Sequence, residues 1–389
     1  MTALSPDQKI GLHQILDWYT KHSKEKQYIT LGGYAGTGKT TLIAVLRKKL
    51  NKINNKLKVG FASYTGKATR VLGTKLHEAK INLQKDSVST IHSLIYSPII
   101  NERQEITGWK RKEKIDRDII IIDEGSMIDE TIWHHLLAYK IPIVVVGDHG
   151  QLPPVTGTFN LMKKPDVKLQ EIHRQAAKNP IIALSKQART HGFIKPGDYS
   201  DTVKKIDMQI SDNGDALQEM LYNFRIDTLV LCGYNHTRIR FNMMIRGMLG
   251  FETPYPTQGD RVICLRNNQK ARIYNGMLGT IAMIEKQDDD WYHAEILMDG
   301  EDKRYSGPIS VGQFNNTPLN FTDKRRYIMK GDLFDFGYAL TVHKAQGSQA
   351  KRVILFEERF KRMTQEEWNR WLYTAVTRAE EELYIFSGS

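Results

Sequence analysis

The chain has 389 residues, enough for two or three domains that each bury a core of their own. Lys and Arg total 56 against 44 for Asp and Glu, a formal charge of +12 that favours polyanions, nucleic acid before an acidic membrane surface. The longest apolar runs, 119–122 and 141–146, are far too short to span a bilayer, and the two cysteines, Cys232 and Cys264, lie in apolar runs without metal-ligand spacing. With no secretory signal in an amphipathic N-terminus, these features predict a reduced, cytoplasmic protein that makes no use of a membrane.

In chain order, residues 1–22 predict a short lead-in and a helix, with Ser5 as N-cap, Pro6 in the first turn and an apolar face of Ile10, Ile15, Leu16 and Tyr19. Gln8 fits an ordinary surface position as well as a side chain whose amide pairs with an adenine edge. A strand is expected at 28–31, then the stretch 33–40, which fits G-x-x-x-x-G-K-[ST], then a helix from Lys39 to Leu50. That order puts a helix N-terminus and flexible glycines where a phosphate can be cradled, with Lys39 reaching the β- and γ-phosphates and Thr40 a Mg²⁺ ion.

A second strand at 58–63 leads into Thr65, Lys67 and Arg70, which suit either a solvated helix start or a grip on nucleic-acid phosphate. Thr90 and His92 form a further polar group ahead of an apolar run. Residues 96–109 read as a β-hairpin with a polar tip at 101–104, followed by a basic run at 110–112. This pattern suits a solvated insertion as well as a functional pin. The run 117–122 is a buried strand ending in Asp123 and Glu124, and paired carboxylates at such an end are costly unless they hold a cation or act on water. Another buried strand, 141–146, brings Gln151 to the same edge.

From about residue 167 a second α/β unit is expected, with a helix at 181–189, a strand at 228–232 and a helix at 235–247. Between 257 and 333 short β segments separated by turn signals predict a small β-barrel inserted in that unit. The unit resumes at 337–348 and closes with a strand at 353–356, a helix at 366–375 and a strand at 383–386.

Nine ordered stretches, at 4–8, 33–40, 63–69, 90–94, 123–126, 147–155, 174–175, 337–348 and 373–378, resemble the motifs of superfamily 1B DNA helicases of the RecD-like, Dda-like group, across nearly the whole chain. The resemblance implies two RecA-like parallel-sheet α/β domains, with a β-hairpin inserted in the first and a small SH3-like β-barrel in the second. The first domain would cover 1–94 and 111–166, with the hairpin at 95–110; the second would cover 167–256 and 334–389, with the barrel at 257–333.

The implied activity is ATP-dependent 5′-to-3′ translocation on single-stranded DNA with duplex unwinding; the alternative is a translocase that displaces bound proteins with little unwinding. Lys39, Glu124, Gln151, Arg174 and Arg378 would be catalytic, the two arginines acting on the γ-phosphate from the second unit. ATP would be held by Gln8, Gly36, Thr37, Gly38, Lys39, Thr40, Thr41, Gln346 and Gly347, and Mg²⁺ by Thr40 and Asp123. Thr65, Lys67, Thr90, His92, Asn235, Thr341, His343 and Lys344 would grip the strand, and Ile99, Ile100 and Trp109 would build the separation pin. The implied partners are single-stranded DNA, forked or tailed duplexes and single-strand-binding or replication proteins, for a monomer in a bacterial or phage-infected cell. Two departures from the family pattern stand out: Ser63-Tyr64 where Pro usually precedes Thr65, and Gly125 after Glu124, which is expected to loosen that loop.

Overall fold

A computed structural model describes residues 4–100, 106–154, 159–172, 178–209, 213–268, 271–301, 304–316 and 331–387. The chain divides into two units, Met1–Lys186 and Gln187–Ser389.

The first unit is built on a six-stranded sheet in the order β3-β2-β6-β7-β1-β8, every neighbouring pair parallel. Its strands are β1 (Tyr28–Gly33), β2 (Val59–Ser63), β3 (Ser87–Thr90), β6 (Ile119–Asp123), β7 (Ile143–Gly147) and β8 (Val167–Leu169). The apolar run in β6 has no polar alternation because both faces are covered. Ile119 and Ile121 enter one core, and Ile120 and Ile122 the other. Helices α1 (Pro6–Asp17), α2 (Lys39–Ile53) and α3 (Gly66–Glu78) supply apolar residues to the first core, and α4 (Ile91–Ile95) and α5 (Glu130–Leu137) to the second. A capping box starts α1: the Gln8 amide N–H donates to Ser5 Oγ while the Ser5 N–H donates to Gln8 Oε1. Such a cap contributes about 1 kcal/mol.

The strand β8 corrects the expected start of the second unit at residue 167. It pairs with β1, and Val167 and Leu169 are buried against α1, so closely that a Cβ on Gly11 would lie 2.9 Å from Val167 Cγ1. A short apolar strand beside an edge of a half-built sheet completes that sheet at little entropic cost. The division between units falls inside α6 (Pro180–His191), whose last residues belong with the second unit: Trp368 Nε1 donates to Gly192 O and Asn369 Nδ2 to Arg189 O.

Strands β4 (Tyr96–Ile100) and β5 (Ile106–Arg111) pair antiparallel. Lys110 and Arg111, expected beyond the hairpin, lie on β5 opposite Ser97 and Tyr96.

In the second unit a six-stranded sheet runs β17-β11-β18-β19-β10-β9. It comprises β9 (Gly197–Ser200), β10 (Val203–Ile206), β11 (Thr228–Cys232), β17 (Ala339–Thr341), β18 (Ala350–Phe356) and β19 (Ala379–Phe386), parallel except where β9 meets β10. Helices α7 (Asn213–Tyr222), α8 (Asn235–Met248) and α9 (Gln365–Val376) accompany it. A five-stranded antiparallel sheet, β15-β14-β13-β12-β16, is formed by β12 (Arg261–Cys264), β13 (Leu278–Lys286), β14 (Trp291–Met298), β15 (Tyr305–Ser310) and β16 (Phe334–Phe336), around its own core. Among the described residues no helix is long and apolar enough to cross a membrane. Both cysteines are buried, and burial pushes the Cys264 thiol up to about 12.

Gly125 is packed, contrary to the expectation of a loosened loop. A Cβ there would lie 2.3 Å from Val145 Cγ1 and 3.2 Å from Val146 O, and one on Gly147 would lie 3.1 Å from the Ser126 nitrogen. Only two facing glycines let the backbone after β6 lie against β7. Gly125→Ala is therefore expected to destabilise the chain by about 1–3 kcal/mol, as overpacking does. A urea midpoint unchanged from wild type would contradict this packing.

Candidate nucleotide and nucleic-acid sites

The loop after β1 turns on Gly36 (φ 80°) and Gly38 (φ 73°), left-handed conformations that glycine adopts without steric cost. Gly38 precedes α2, and among the described residues no side chain caps that helix start, where the positive end of the helix dipole lies. A Cβ on Gly33 would meet Thr37 Oγ1 at 2.6 Å and Lys39 Cγ at 3.2 Å. Lys39 Nζ donates to Gly33 O at 2.8 Å and Tyr34 O at 3.0 Å and lies 3.9 Å from the Asp148 carboxylate. Gln8 is buried, not at the surface. Its Nε2 donates to Thr37 O at 2.9 Å and Gly38 O at 3.4 Å, so it braces the loop from behind. Thr40 is half-buried and Thr41 exposed at the start of α2.

Asp123 ends β6 beside this loop. Burial, then the neighbouring Glu124 charge, push its carboxyl up to about 6, with Lys39 opposing. Glu124 is held in the left-handed region (φ 59°, ψ 41°), where a non-glycine residue costs about 1–2 kcal/mol. Strain of this kind concentrates at working sites. Gln151 is buried in the loop after β7, near Asp148 in sequence. The residues fit a Mg²⁺-nucleotide: an uncapped helix start and Lys39 for the phosphates, Thr40 and Asp123 for the cation. Among the described residues no group of three His, Cys, Asp or Glu could hold a metal by itself. A Mg²⁺ ion here would therefore take its remaining ligands from phosphate and water, as this hard, reluctantly dehydrated cation usually does.

Register carries the second set of residues to the same edge. Ser63 of β2 pairs with Asp123 on one side and Thr90 on the other. Thr65 caps α3, its Oγ1 accepting from the Ala68 N–H at 3.2 Å, with Lys67 in the first turn. Thr90 caps α4 in the same manner, accepting from the Ser93 N–H at 3.1 Å. The His92 ring lies 4.6 Å from Trp109 and 4.5 Å from Tyr96, so the hairpin root touches the Thr90–His92 loop. Burial pushes the His92 pKa down. Ile99 is exposed on β4.

In the second unit β11 and β17 are parallel neighbours, Cys232 opposite Thr341, so Asn235 and the group Thr341, His343 and Lys344 follow adjacent strand ends. Burial lowers the pKa of both His343 and Lys344. Gln346 is buried, and Gly347 (φ 74°) turns the chain toward Ser348. Arg378 is buried, donating from Nε to Thr374 O, from Nη1 to Ser348 O and from Nη2 to Thr377 Oγ1, at 3.0, 3.1 and 3.2 Å. Arg174 and the hairpin tip lie outside the described residues, as does the side chain of Ile100.

Two groups were missed in the sequence. Asp148, almost fully buried, faces Lys39; the signal was the one that marked Asp123, a carboxylate directly after a buried strand. Glu358 accepts from the Gly233 and Tyr234 N–H groups and from Thr237 Oγ1, fixing the start of α8 beside Asn235; nothing local in the sequence marks it.

Residues 4–206, just over half of the chain, match the model of an AAA domain. The chain belongs to this family. Residues 336–386 match the UvrD-like helicase C-terminal domain. The ATP-dependent RecD2 DNA helicase of Deinococcus radiodurans is 27% identical over 95% of this chain, and the ATP-dependent DNA helicase dda of phage T4 is 24% identical over 93%. The chain spans about half (48%) of the length of the former and 94% of the latter. A Bacteroides Pif1 helicase structure in complex with ADP-AlF3 and ssDNA shares the fold, with a TM-score of 0.55 at 19% identity over 100% of this chain and 93% of that one. These relatives bear out the resemblance of this AAA-domain protein to superfamily 1B helicases of the RecD-like, Dda-like group.

Between the ordinary value of 3.8 and about 6, folded Asp123 keeps a proton that the unfolded chain has released. Its contribution to stability therefore falls as pH rises through that window. A cation at Asp123 must displace the same proton, so Mg²⁺-dependent nucleotide affinity is expected to weaken up to about tenfold per pH unit below about pH 6. Calorimetric titration checks this; a profile that stays flat down to about pH 5 would remove Asp123 from the cation site.

Proposed function

We propose that the chain is an ATP-hydrolysing DNA helicase that tracks 5′ to 3′ along single-stranded DNA and opens duplexes. The observation that carries this reading is the row Thr90–Ser63–Asp123 across three adjacent strand ends. On this reading a phosphate-gripping loop stands two strands from a cation-binding carboxylate, so that rearrangement at one would be felt at the other. The names of the relatives agree with it.

ATP with Mg²⁺ would supply the transferable γ-phosphoryl group. Lys39 and the N–H groups opening α2 bind and orient the phosphates, and Thr40 and Asp123 hold the cation. Glu124 orients the attacking water and accepts its proton. Arg174 and Arg378 stabilise charge developing on the γ-phosphoryl oxygens, and Gln151 and Gln346 sense the phosphate. Gln8, with both amide atoms engaged by Ser5, Thr37 and Gly38, steadies the loop instead of reading an adenine edge, with Gly36, Thr37, Gly38, Thr41 and Gly347 shaping the pocket. Thr65, Lys67, Thr90 and His92 in one unit, and Asn235, Thr341, His343 and Lys344 in the other, grip strand phosphates without sequence preference. The hairpin with Ile99, Ile100 and Trp109 acts as the pin, and the antiparallel sheet is the SH3-like barrel. The protein works as a monomer in the cytoplasm, on forked or tailed DNA.

Lys39→Ala is expected to abolish ATP hydrolysis while strand binding persists, and Arg378→Ala to keep nucleotide binding but lose about 10³-fold or more in turnover, as finger removal does. Steady-state ATPase assays with single-stranded DNA check both; hydrolysis surviving Lys39→Ala sinks the site. Partial duplexes with a 5′ or a 3′ tail test motor and polarity together. ATP-driven opening of only the 3′-tailed substrate would reverse the polarity, and opening of neither would favour the protein-displacing translocase.

A further inference from the structure

The first unit carries a second concave site, away from the nucleotide loop. It lies beside the later turns of α2 and the segment joining α3 to β3, a cavity of about 250 Å³ lined by Arg47, Lys48, Asn51, Lys80, Asn82 and Lys85 among others. Arg47 is eight residues after Lys39 on α2, which at 1.5 Å per residue puts it about 12 Å further along the helix axis. The Val59 N–H, at the start of β2, donates to the Asp86 carboxylate that Arg47 engages, so the cavity sits at the opening edge of the sheet. The nucleotide loop sits at the closing edge.

Three features give the cavity its chemistry. Arg47 is only 4% exposed, and its Nε and Nη2 donate to Asp86 at 2.7 and 3.1 Å, with Nη2 also reaching Leu57 O. Its Nη1 is buried and makes no hydrogen bond among the described residues. A buried guanidinium N–H without an acceptor costs about 1–3 kcal/mol, and Arg47 is one of the residues that line the cavity. The exposed Lys48, Lys80 and Lys85 add positive charge that no carboxylate pairs among the described residues. Lys80 occupies the residue just past α3 at φ 56°, its N–H donating to His77 O while that of Ile81 donates to Leu76 O. Glycine is the usual occupant of that helix-ending position, and a lysine there costs about 1–2 kcal/mol of backbone strain. Asn51 and Asn82 add amide donors.

We propose that this cavity is a second phosphate-binding site, which takes a compact phosphate anion carried by a free nucleotide-like compound or by a nucleic-acid strand. Arg47 is the fixed centre of the site, locked by Asp86, and the lysines supply the outer charge. The site does not depend on the motor reading.

The test uses the full chain with the nucleotide loop saturated by ADP and Mg²⁺, and inorganic pyrophosphate as the calorimetric probe. Wild type is expected to bind one further equivalent, and Lys80→Ala/Lys85→Ala at least about tenfold more weakly, as loss of charge-assisted hydrogen bonds implies. Lys80→Gly removes a charge while relaxing the backbone, so weaker binding with an unchanged or raised melting temperature separates ligand loss from unfolding. A second arm measures the salt dependence of binding to a single-stranded oligonucleotide. If the double variant lowers the slope of log K against log salt by about 0.7 per lost contact, the strand is the source of the phosphate. An unchanged slope with lost pyrophosphate binding assigns the site to a free compound. Failure of wild type to bind pyrophosphate beyond the ADP site, or equal binding by the variants, overturns the proposal, and neither result touches hydrolysis at Lys39.

Discussion

Parallel pairing is the constraint from which the site follows. Because β1, β6 and β7 run side by side in one direction, with Tyr28 opposite Ile143 and Ile143 opposite Ile120, the chain leaves all three at one edge. Three loops must therefore crowd there, and their polar groups meet at the mouth of a sheet whose interior is aliphatic. Lys39, Asp123 and Asp148 come from three such loops. Each would be costly alone in that setting, since burying an unpaired charge costs several kcal/mol. Together they offset one another in part, with Lys39 set against the Asp148 carboxylate and lowering the cost of charge on Asp123. The same constraint puts Thr90 and Ser63 alongside Asp123.

The second unit repeats the arrangement and adds a rigid attachment. Two buried ion pairs tie α8 to the antiparallel sheet: Arg246 with Asp260, which also accepts from Tyr338 Oη, and Arg238 with Asp335 in β16. Removing one partner of such a pair costs about 3–5 kcal/mol, so helix and sheet are held as one piece. The helix so held is the one that begins at Asn235, and Glu358 secures its first turn. In the first unit the hairpin is likewise rooted: Tyr139 Oη donates to Ile95 O and Lys112 O, Lys112 Nζ donates to Ser93 O, and Trp109 packs on His92. The hairpin is thus anchored on the Thr90–His92 loop and the antiparallel sheet on α8.

What the amino-acid sequence determined by itself was local. The glycine spacing of residues 33–40, the apolar runs ending in Asp123 and near Asp148, the cap residue Ser5 and the polar groups at Thr65 and Thr90 each act within a few residues through backbone freedom, desolvation or a short hydrogen bond. They named the elements around the nucleotide loop and most of the groups beside it. Tertiary structure alone decided what depends on distant partners. Strand β8 joined the first sheet because Val167 and Leu169 had an open edge and α1 to pack on, and β10 became a strand because β19 lay ready to pair with it. Gln8 turned inward because the Thr37 and Gly38 carbonyls lie 29 and 30 residues on, Gly125 proved to be a packing glycine because Val145 comes close, and Arg47 found Asp86 across 39 residues. These contacts close long loops, and their energy is realised only once the sheet has brought both ends together.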